Sequence, residues 1–256
     1  MTDTARLSLN LITVDHWSLG EAVERCAAAG IEWVAPWRHQ YEDAAAAAQL
    51  ISAAGLRVSS LCRGGFFTAP GADEDNRRAV EEAAALGAPV LVLVCGPPVD
   101  RDLAAARATI AAGIERLLPY AAEHGVRLGI EPLHPMMVGE RSAIVSLGEA
   151  LTLARRLGAG VIVDAYHVFW DPELETLLAG ATGLIAGYHV SDWLVPTPDL
   201  LAGRGLMGDG IIDLPRIGAL VEAAGYDGPI EVEVINPALA DTPDLLAEIA
   251  ARFGDR

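Results

Sequence analysis

Eight short apolar runs, each followed by an amphipathic and often alanine-rich stretch, constrain the fold of this 256-residue chain more than any other feature. The runs cover residues 7–12, 31–35, 57–62, 89–95, 127–131, 160–164, 184–190 and 229–235. Several are nearly continuous in Val, Leu and Ile, as strands buried on both faces must be. Alternation of such strands with helical stretches predicts repeated βαβ units and an α/β protein with a parallel sheet. Eight repeats can close into a barrel or stay open as a doubly wound sheet. The open form ordinarily carries a glycine-rich phosphate turn after its first strand, whereas here that strand runs into TVDHWSLGE. A (β/α)8 TIM barrel, a single domain over residues 1–256, is the expectation, and the length is typical of that fold.

The punctuation between the runs agrees. Ser18 with Glu21, and Ser146 with Glu149, have the spacing of a capping box. Asp171–Pro172 and Thr242–Pro243 read as a cap followed by the first helical residue. Gly30, Gly55, Gly87, Gly125, Gly158 and Gly225 fall where helices should stop. Pro119, inside a helix expected over 102–123, should bend or split it.

Composition excludes several function classes. The net charge of −17 would repel a phosphate backbone, so nucleic acid is not an expected partner. All 18 basic residues are arginine, which rules out a Schiff-base lysine and a Walker-type phosphate lysine. No apolar run approaches the roughly 18 residues that span a bilayer, so no membrane partner is expected. The start, MTDTARLSLN, shows neither a basic leader nor an apolar targeting stretch. Cys26, Cys62 and Cys95, odd in number and widely spaced, form no disulfide framework. A cytoplasmic location is expected.

In a TIM barrel the strand C-termini form the active-site mouth. Four consecutive strand ends in the second half read GIEPLHP, VIVDAYH, AGYHVSD and PIEVEVIN, placing Glu131, Asp164, His189 and Glu233 there. Converging carboxylates raise one another's pKa and are costly to bury without a cation. One divalent metal ion resolves that conflict. Three oxygens with one imidazole suit Mn²⁺ first, with Mg²⁺, Co²⁺ or Zn²⁺ as alternatives. Glu231 shares a strand face with Glu233 and competes with it, but Glu233 lies nearer the mouth.

Other mouth residues are candidates for substrate binding. His167 follows Asp164 by three residues; His134 stands similarly after Glu131, and its competing role, like that of His167, is a cap or a ligand-orienting contact. His16 and His39 also fall in mouth loops, while His124 reads as a helix-end histidine. The connection SDWLVPTPDLLAGRGLMGDGIID is long enough to be a lid or a specificity element. Its one cation, Arg204, either meets a substrate oxygen or pairs with Asp199 or Asp209. Trp17, Trp37, Trp170 and Trp193, with Phe66 and Phe67, can wall a sugar pocket.

These stretches resemble the sugar phosphate isomerase/epimerase group of the xylose-isomerase-like TIM-barrel superfamily. EPLHPM, VDAYHVFWDPEL, HVSDWL, RGLMGDGIIDLPRI and GYDGPIEVEV carry the likeness, which runs from Leu7 to Phe253 and is concentrated after Arg127. The resemblance implies Glu131, Asp164, His189 and Glu233 as metal ligands, and His167 and Arg204 as substrate contacts. It also implies proton abstraction beside a carbonyl through an enediolate, with Glu131 and Glu233 as the catalytic pair, on a small polyol or sugar. Where many ketose epimerases of the group have a second substrate-binding Glu, this chain has HPMMVGE, which argues against a ketohexose. No phosphate cradle is visible. A lyase or dehydratase acting on a keto-polyol or 3-keto-glycoside would share the first step, with His167 or His134 as acid. A zinc endonuclease is disfavoured by six histidines and the acidic charge; a non-catalytic sugar-binding barrel is the remaining alternative. Self-association is left open by the aromatic loops.

Overall fold

A computed structural model describes residues 4–254; the first three and last two residues of the expected domain lie outside them. The main sheet comprises β1 (Leu7–Asn10), β2 (Trp33–Ala35), β3 (Arg57–Val58), β4 (Leu61–Gly65), β5 (Val90–Val94), β6 (Arg127–Ile130), β7 (Gly160–Asp164) and β8 (Ile185–Val190). A two-stranded hairpin, β9 (Asp192–Trp193) and β10 (Arg204–Gly205), precedes the last barrel strand, β11 (Ile230–Val232). Neighbours follow the order β3-β2-β1-β11-β8-β7-β6-β5-β4, all parallel.

The two ends of that order are consecutive in the chain, and this closes the barrel. The third run, expected as one strand over 57–62, is two: β3 pairs with β2 and β4 with β5. Between them Ser59 turns its hydroxyl onto Ser8 at 2.7 Å and Glu231 at 2.8 Å. A parallel bridge joins Trp37 to Cys62, with Cys62 N–H donating to Pro36 at 3.2 Å and Arg38 N–H to Cys62 at 3.0 Å. The bent strand therefore serves both neighbours. The fold is the expected (β/α)8 barrel.

Around it lie α1 (Leu19–Ala28), α2 (Ala44–Ala53), α3 (Ala72–Leu86), α4 (Leu103–Glu123), α5 (Leu147–Leu157), α6 (Ala165–Val168), α7 (Leu174–Ala179), α8 (Leu214–Ala223) and α9 (Leu245–Phe253). Ser18 and Ser146 accept the Glu21 and Glu149 N–H groups, as the capping spacing predicts. The six glycines expected at helix stops all have φ between +69° and +91°, a region L side chains avoid. Two expected starts are corrected. After Asp171–Pro172 and Thr242–Pro243 the chain makes a further turn, so Glu173 and Asp244 precede the helices. Asp171 instead accepts the Glu173 N–H at 2.9 Å. Nor does Pro119 split α4: it and Glu115, whose carbonyl loses its donor, are both exposed, so water can satisfy that oxygen.

Alternation along each strand sorts the apolar residues into two cores. Leu91, Leu93, Val161 and Val163 face the helices and join a large continuous core. Val90, Val92 and Ile162 face inward and form, with Cys62 and Ala186, a much smaller one. Ile162 fills space that its neighbours leave open: a Cβ on Gly129 would lie 2.5 Å from its Cδ1, and one on Gly187 2.9 Å. Gly129→Ala should therefore destabilise the protein by about 1–3 kcal/mol through overpacking. Urea unfolding measures this, and an unchanged midpoint would show that Ile162 can move aside freely.

Candidate metal centre and active site

Register places the polar side chains. Asp164 pairs with His189, His189 with Glu231, and Glu231 with Ser8, so these four stand at one level on β7, β8, β11 and β1. Two residues further on, Glu233 and Asn10 point the same way one level nearer the mouth. Glu131 follows β6, its N–H held by Leu93 O at 3.1 Å. All of these residues are buried.

One ligand atom from each of Glu131, Asp164, His189 and Glu233 can be chosen so that all lie within 4.8 Å of one another. Opposite ligands around a cation with bonds of about 2.1–2.4 Å would stand roughly 4.2–4.8 Å apart, so this spread fits a single ion. His189 Nδ1 lies 3.6 Å from Glu131 Oε1 and 3.6 Å from Glu233 Oε2, yet has no hydrogen-bond partner. A buried imidazole nitrogen without a partner is costly unless something else meets it. The donor set and this orphaned nitrogen both fit a divalent metal.

Glu231 is not in that group. Its Oε2 lies 3.2 Å from the other ring nitrogen of His189 and accepts from Asn10 Nδ2 at 3.2 Å, while Oε1 accepts from Ser59. Asn10 is fixed in turn by Trp37 Nε1 at 2.6 Å. This places a carboxylate behind the imidazole, the arrangement that orients metal-binding histidines. Of the two competing glutamates, Glu233 and not Glu231 belongs to the group around the common point.

Arg204 meets neither Asp199 nor Asp209. Its Nη1 lies 3.0 Å from Asp164 Oδ2 and 3.0 Å from Glu233 Oε2, and Nη2 lies 3.2 Å from His167 Nε2. The long connection delivers it there because Asp192 pins the far side, accepting N–H bonds from Gly208, Gly210 and Ile212 at 3.0, 2.8 and 2.9 Å. The guanidinium splits the acids electrostatically. Burial would raise the Glu233 carboxyl, but Arg204 and His189 overcome it and hold it at about 2. Burial, then the Glu233 charge, pushes Glu131 up to about 8, and burial pushes Asp164 up to about 6 against Arg204. His189 is raised to about 10: burial opposes the charge, but Glu231, Glu233 and Glu131 together prevail. His167 is driven well below the ordinary histidine range by burial and Arg204 and is therefore neutral.

The other expected residues divide. His134 donates its backbone N–H to His167 Nδ1 at 3.2 Å, and its ring lies 5.0 Å from Trp193 and 5.9 Å from Trp170. Trp193 stacks on Tyr166 at 4.8 Å. His134, Trp170 and Trp193 wall one side of the mouth, with the buried Tyr166 packed against Trp193. His39 pairs with Asp15 at 2.7 Å, and His16 edges onto Trp17. Trp17 does not join the acidic cluster; it lies under Arg25 and lines a separate surface pocket with Thr242, Asp244 and Leu245. Phe67 is core, wedged against Gly113 of α4, and His124 caps α4 through the Tyr120 carbonyl at 2.9 Å. Sequence reasoning missed Ser8, Asn10, Ser59 and Tyr166. The alternation in LSLN, polar at every second position of a buried strand, is a signal that could have found the first two.

A family model described as Xylose isomerase-like TIM barrel matches residues 23–255. The chain belongs to that family. Within the xylose isomerase-like fold, a protein designated SMc04130 from Sinorhizobium meliloti 1021 is 42% identical, with a TM-score of 0.94 over 99% of this chain and 98% of that one. IolI, in a crystal structure with a bound zinc atom, is 17% identical at a TM-score of 0.83, covering 98% of this chain and 97% of its own. A D-allulose 3-epimerase from Methylomonas sp. is 21% identical at 0.73, covering 96% and 94%. None of the curated proteins compared matches the sequence. No helix among the described residues of this xylose isomerase-like barrel is long and apolar enough to cross a membrane.

Protonation and metal binding must compete in such a site. At pH 7 Glu131, raised to about 8, and His189, raised to about 10, both hold protons in the metal-free protein. Binding needs the carboxylate and the free nitrogen, so Mn²⁺ uptake should release protons, and affinity should fall by about tenfold or more per pH unit below 8. Calorimetry in buffers of different ionisation enthalpy checks this; buffer-independent heats and a pH-flat Kd would contradict it.

Proposed function

We propose that this protein is a divalent-metal-dependent isomerase or epimerase that moves a proton beside the carbonyl of a sugar or sugar derivative. The observation that carries the reading is the four ligand atoms within 4.8 Å of one another at the barrel mouth, with His189 Nδ1 3.6 Å from both glutamates. Three oxygens and one imidazole favour Mn²⁺, with Mg²⁺, Co²⁺ and Zn²⁺ as alternatives. A cation held there supplies Lewis acidity that acidifies the C–H next to a bound carbonyl.

The chain's own residues supply the rest. Glu131 and Glu233 reach the same space from separate strands, so one can take the proton and the other return it. Return from the opposite face inverts a centre; return to the neighbouring carbon moves the carbonyl. His167, neutral and buried beside Asp164 at 3.6 Å, faces substrate hydroxyls together with Arg204. His134 and Trp193 form the wall against which sugar carbons pack. Among proteins of like fold, a D-psicose 3-epimerase was crystallised in the presence of D-fructose and a D-allulose 3-epimerase in complex with D-allulose. That supports a small-molecule sugar or polyol as partner, and the acidic charge disfavours nucleic acid. Three buried free cysteines, Cys26, Cys62 and Cys95, suit a reducing cytoplasm. A lyase is the second reading: the His134 backbone N–H donates to His167 Nδ1 at 3.2 Å, which leaves the single proton of that neutral ring on Nε2, where it could be passed to a leaving group.

The test is incubation of ketoses, inososes and 3-keto-glycosides with Mn²⁺ in D₂O. Deuterium should enter recovered or converted substrate, stop on chelation and resume with Mn²⁺. Glu131→Gln and Glu233→Gln should each lower exchange by about 10²–10⁴. Near-normal exchange in either variant refutes its role, and loss of water without exchange supports the lyase.

A further inference from the structure

The rim opposite Arg204 carries two arginines of a different kind. Arg6, Arg38, Arg107, Arg204 and Arg252, the remaining arginines not classed as exposed, all have carboxylate partners. Arg127 donates to backbone carbonyls, and Arg77, Arg101 and Arg156, which have no acidic partner, are exposed. Arg63 and Arg141 alone among the described residues are half-buried arginines with neither a carboxylate nor a carbonyl within hydrogen-bond reach of the side chain. In a lysine-free chain of net charge −17, where acids outnumber bases, two half-buried arginines without ion-paired carboxylates are anomalous.

They also belong to one place. Arg63, on β4, stacks its guanidinium 4.2 Å from the Phe66 ring centroid. Phe66 abuts Gly96, just past the end of β5: a Cβ there would stand 3.1 Å from Phe66 Cα and 2.6 Å from Thr68 Oγ1, so only glycine permits the approach. Gly96 N–H in turn donates to Arg141 O at 3.0 Å, and Ser142 bridges to Gly96. Arg63 and Arg141 therefore flank the same edge of the mouth, at the ends of β4 and β5 and in the loop after Glu131. Burial, then the charge of Arg141, lowers the pKa of Arg63, so Arg141 lies near enough to act on it; Asp75, already bound by Arg38 and Arg78, opposes them only weakly. Arg38, also near, is already engaged by Asp75 and Glu82 at 3.1 and 2.8 Å.

We propose that Arg63 and Arg141 form an oxyanion subsite that binds a phosphate monoester or carboxylate carried by the substrate, away from the carbon that exchanges its proton. The proposal rests on the mouth being a substrate pocket, and it narrows the substrate class to acidic sugars or sugar phosphates. Guanidinium forks suit both anions. Without them, an anionic substrate entering beside Glu131, Asp164 and Glu233 would meet repulsion; with them, the rim offers attraction that orients the remote end. Phe66 holds Arg63 in place through its ring face without consuming its hydrogen-bond donors.

The test is isothermal titration of the purified protein with inorganic phosphate and, separately, with acetate. Wild-type protein should bind at least one of them, and Arg63→Met and Arg141→Met should each weaken it by about tenfold or more, since bonds to charged groups are the strong ones. Phosphate preferred over acetate assigns a phosphate monoester; the reverse assigns a carboxylate. Arg63→Lys, which keeps the charge over Phe66, should retain more binding than Arg63→Met, and matched thermal melts establish that each variant folds. Binding of neither anion by the wild type, or binding that survives both methionine substitutions, overturns the subsite. Because this readout needs no turnover, anion binding without deuterium exchange would leave the subsite standing and refute the isomerase reading, and exchange on neutral sugars with no anion binding would do the converse.

Discussion

Withdrawing three carboxylates from water into one pocket is the electrostatic demand around which the mouth of this barrel is organised. Glu131, Asp164 and Glu233 are all buried, and Arg204 is in ion-pair contact with only two of them. Glu131 is left with His189 at 3.6 Å as its nearest cationic partner. In the metal-free site the charge is balanced by Arg204, by a protonated His189 and by the proton that Glu131 retains, and the last two are what a divalent ion would displace. The position of Arg204 also explains the asymmetry of the two glutamates. The one against Arg204 is ionised, and the one remote from it holds a proton, although both lie beside the same imidazole.

Supporting that arrangement costs the barrel part of its interior. TIM barrels commonly fill the strand-lined centre with layers of bulky branched side chains. Here the levels nearest the mouth are given over to Ser8, Asn10, Ser59, Glu231 and the cluster itself. The inward apolar core is reduced to a few residues around Ile162, whose bulk is accommodated by Gly129 and Gly187. Stability comes instead from the large core between strands and helices. The polar layer is nevertheless connected: Trp37 fixes Asn10, Asn10 and Ser59 fix Glu231, and Glu231 backs His189. Such a chain holds a ring at a set angle, which packing alone would do less well.

The mouth has two chemically distinct sides. Aromatic rings of Trp193, His134 and Trp170 line the part above β6, β7 and β8, with the buried Tyr166 stacked on Trp193, next to His167 and Arg204. Across the rim stand Arg63 and Arg141, half-buried cations with no carboxylate in ion-pair contact. A substrate with an apolar ring face, several hydroxyls and one acidic end would match all three surfaces at once. The connection carrying Arg204 is tied down by Asp192 through three backbone N–H groups, so it positions that side chain as a fixed part of the site.

Much of this was legible in the chain because it depends on period and on strand ends. Buried apolar runs, helix-stop glycines and serine caps are local, and they specified eight β/α repeats and which end of each strand faces the mouth. Glu131, Asp164, His189 and Glu233 followed, since a charged residue at the end of an apolar run has few other places to go. What the sequence could not determine is anything set by register between distant strands. The bend that divides 57–62 between two neighbours, the seat of Glu231 behind His189 rather than beside Glu233, and the pairing of Arg204 with Asp164 and Glu233 all depend on how strands align around a closed sheet. The same holds for Arg63 and Arg141, 78 positions apart, which look ordinary in the chain. Local propensity acts over a few residues, whereas burial and charge are properties of the assembled space, and only closure of the barrel created that space.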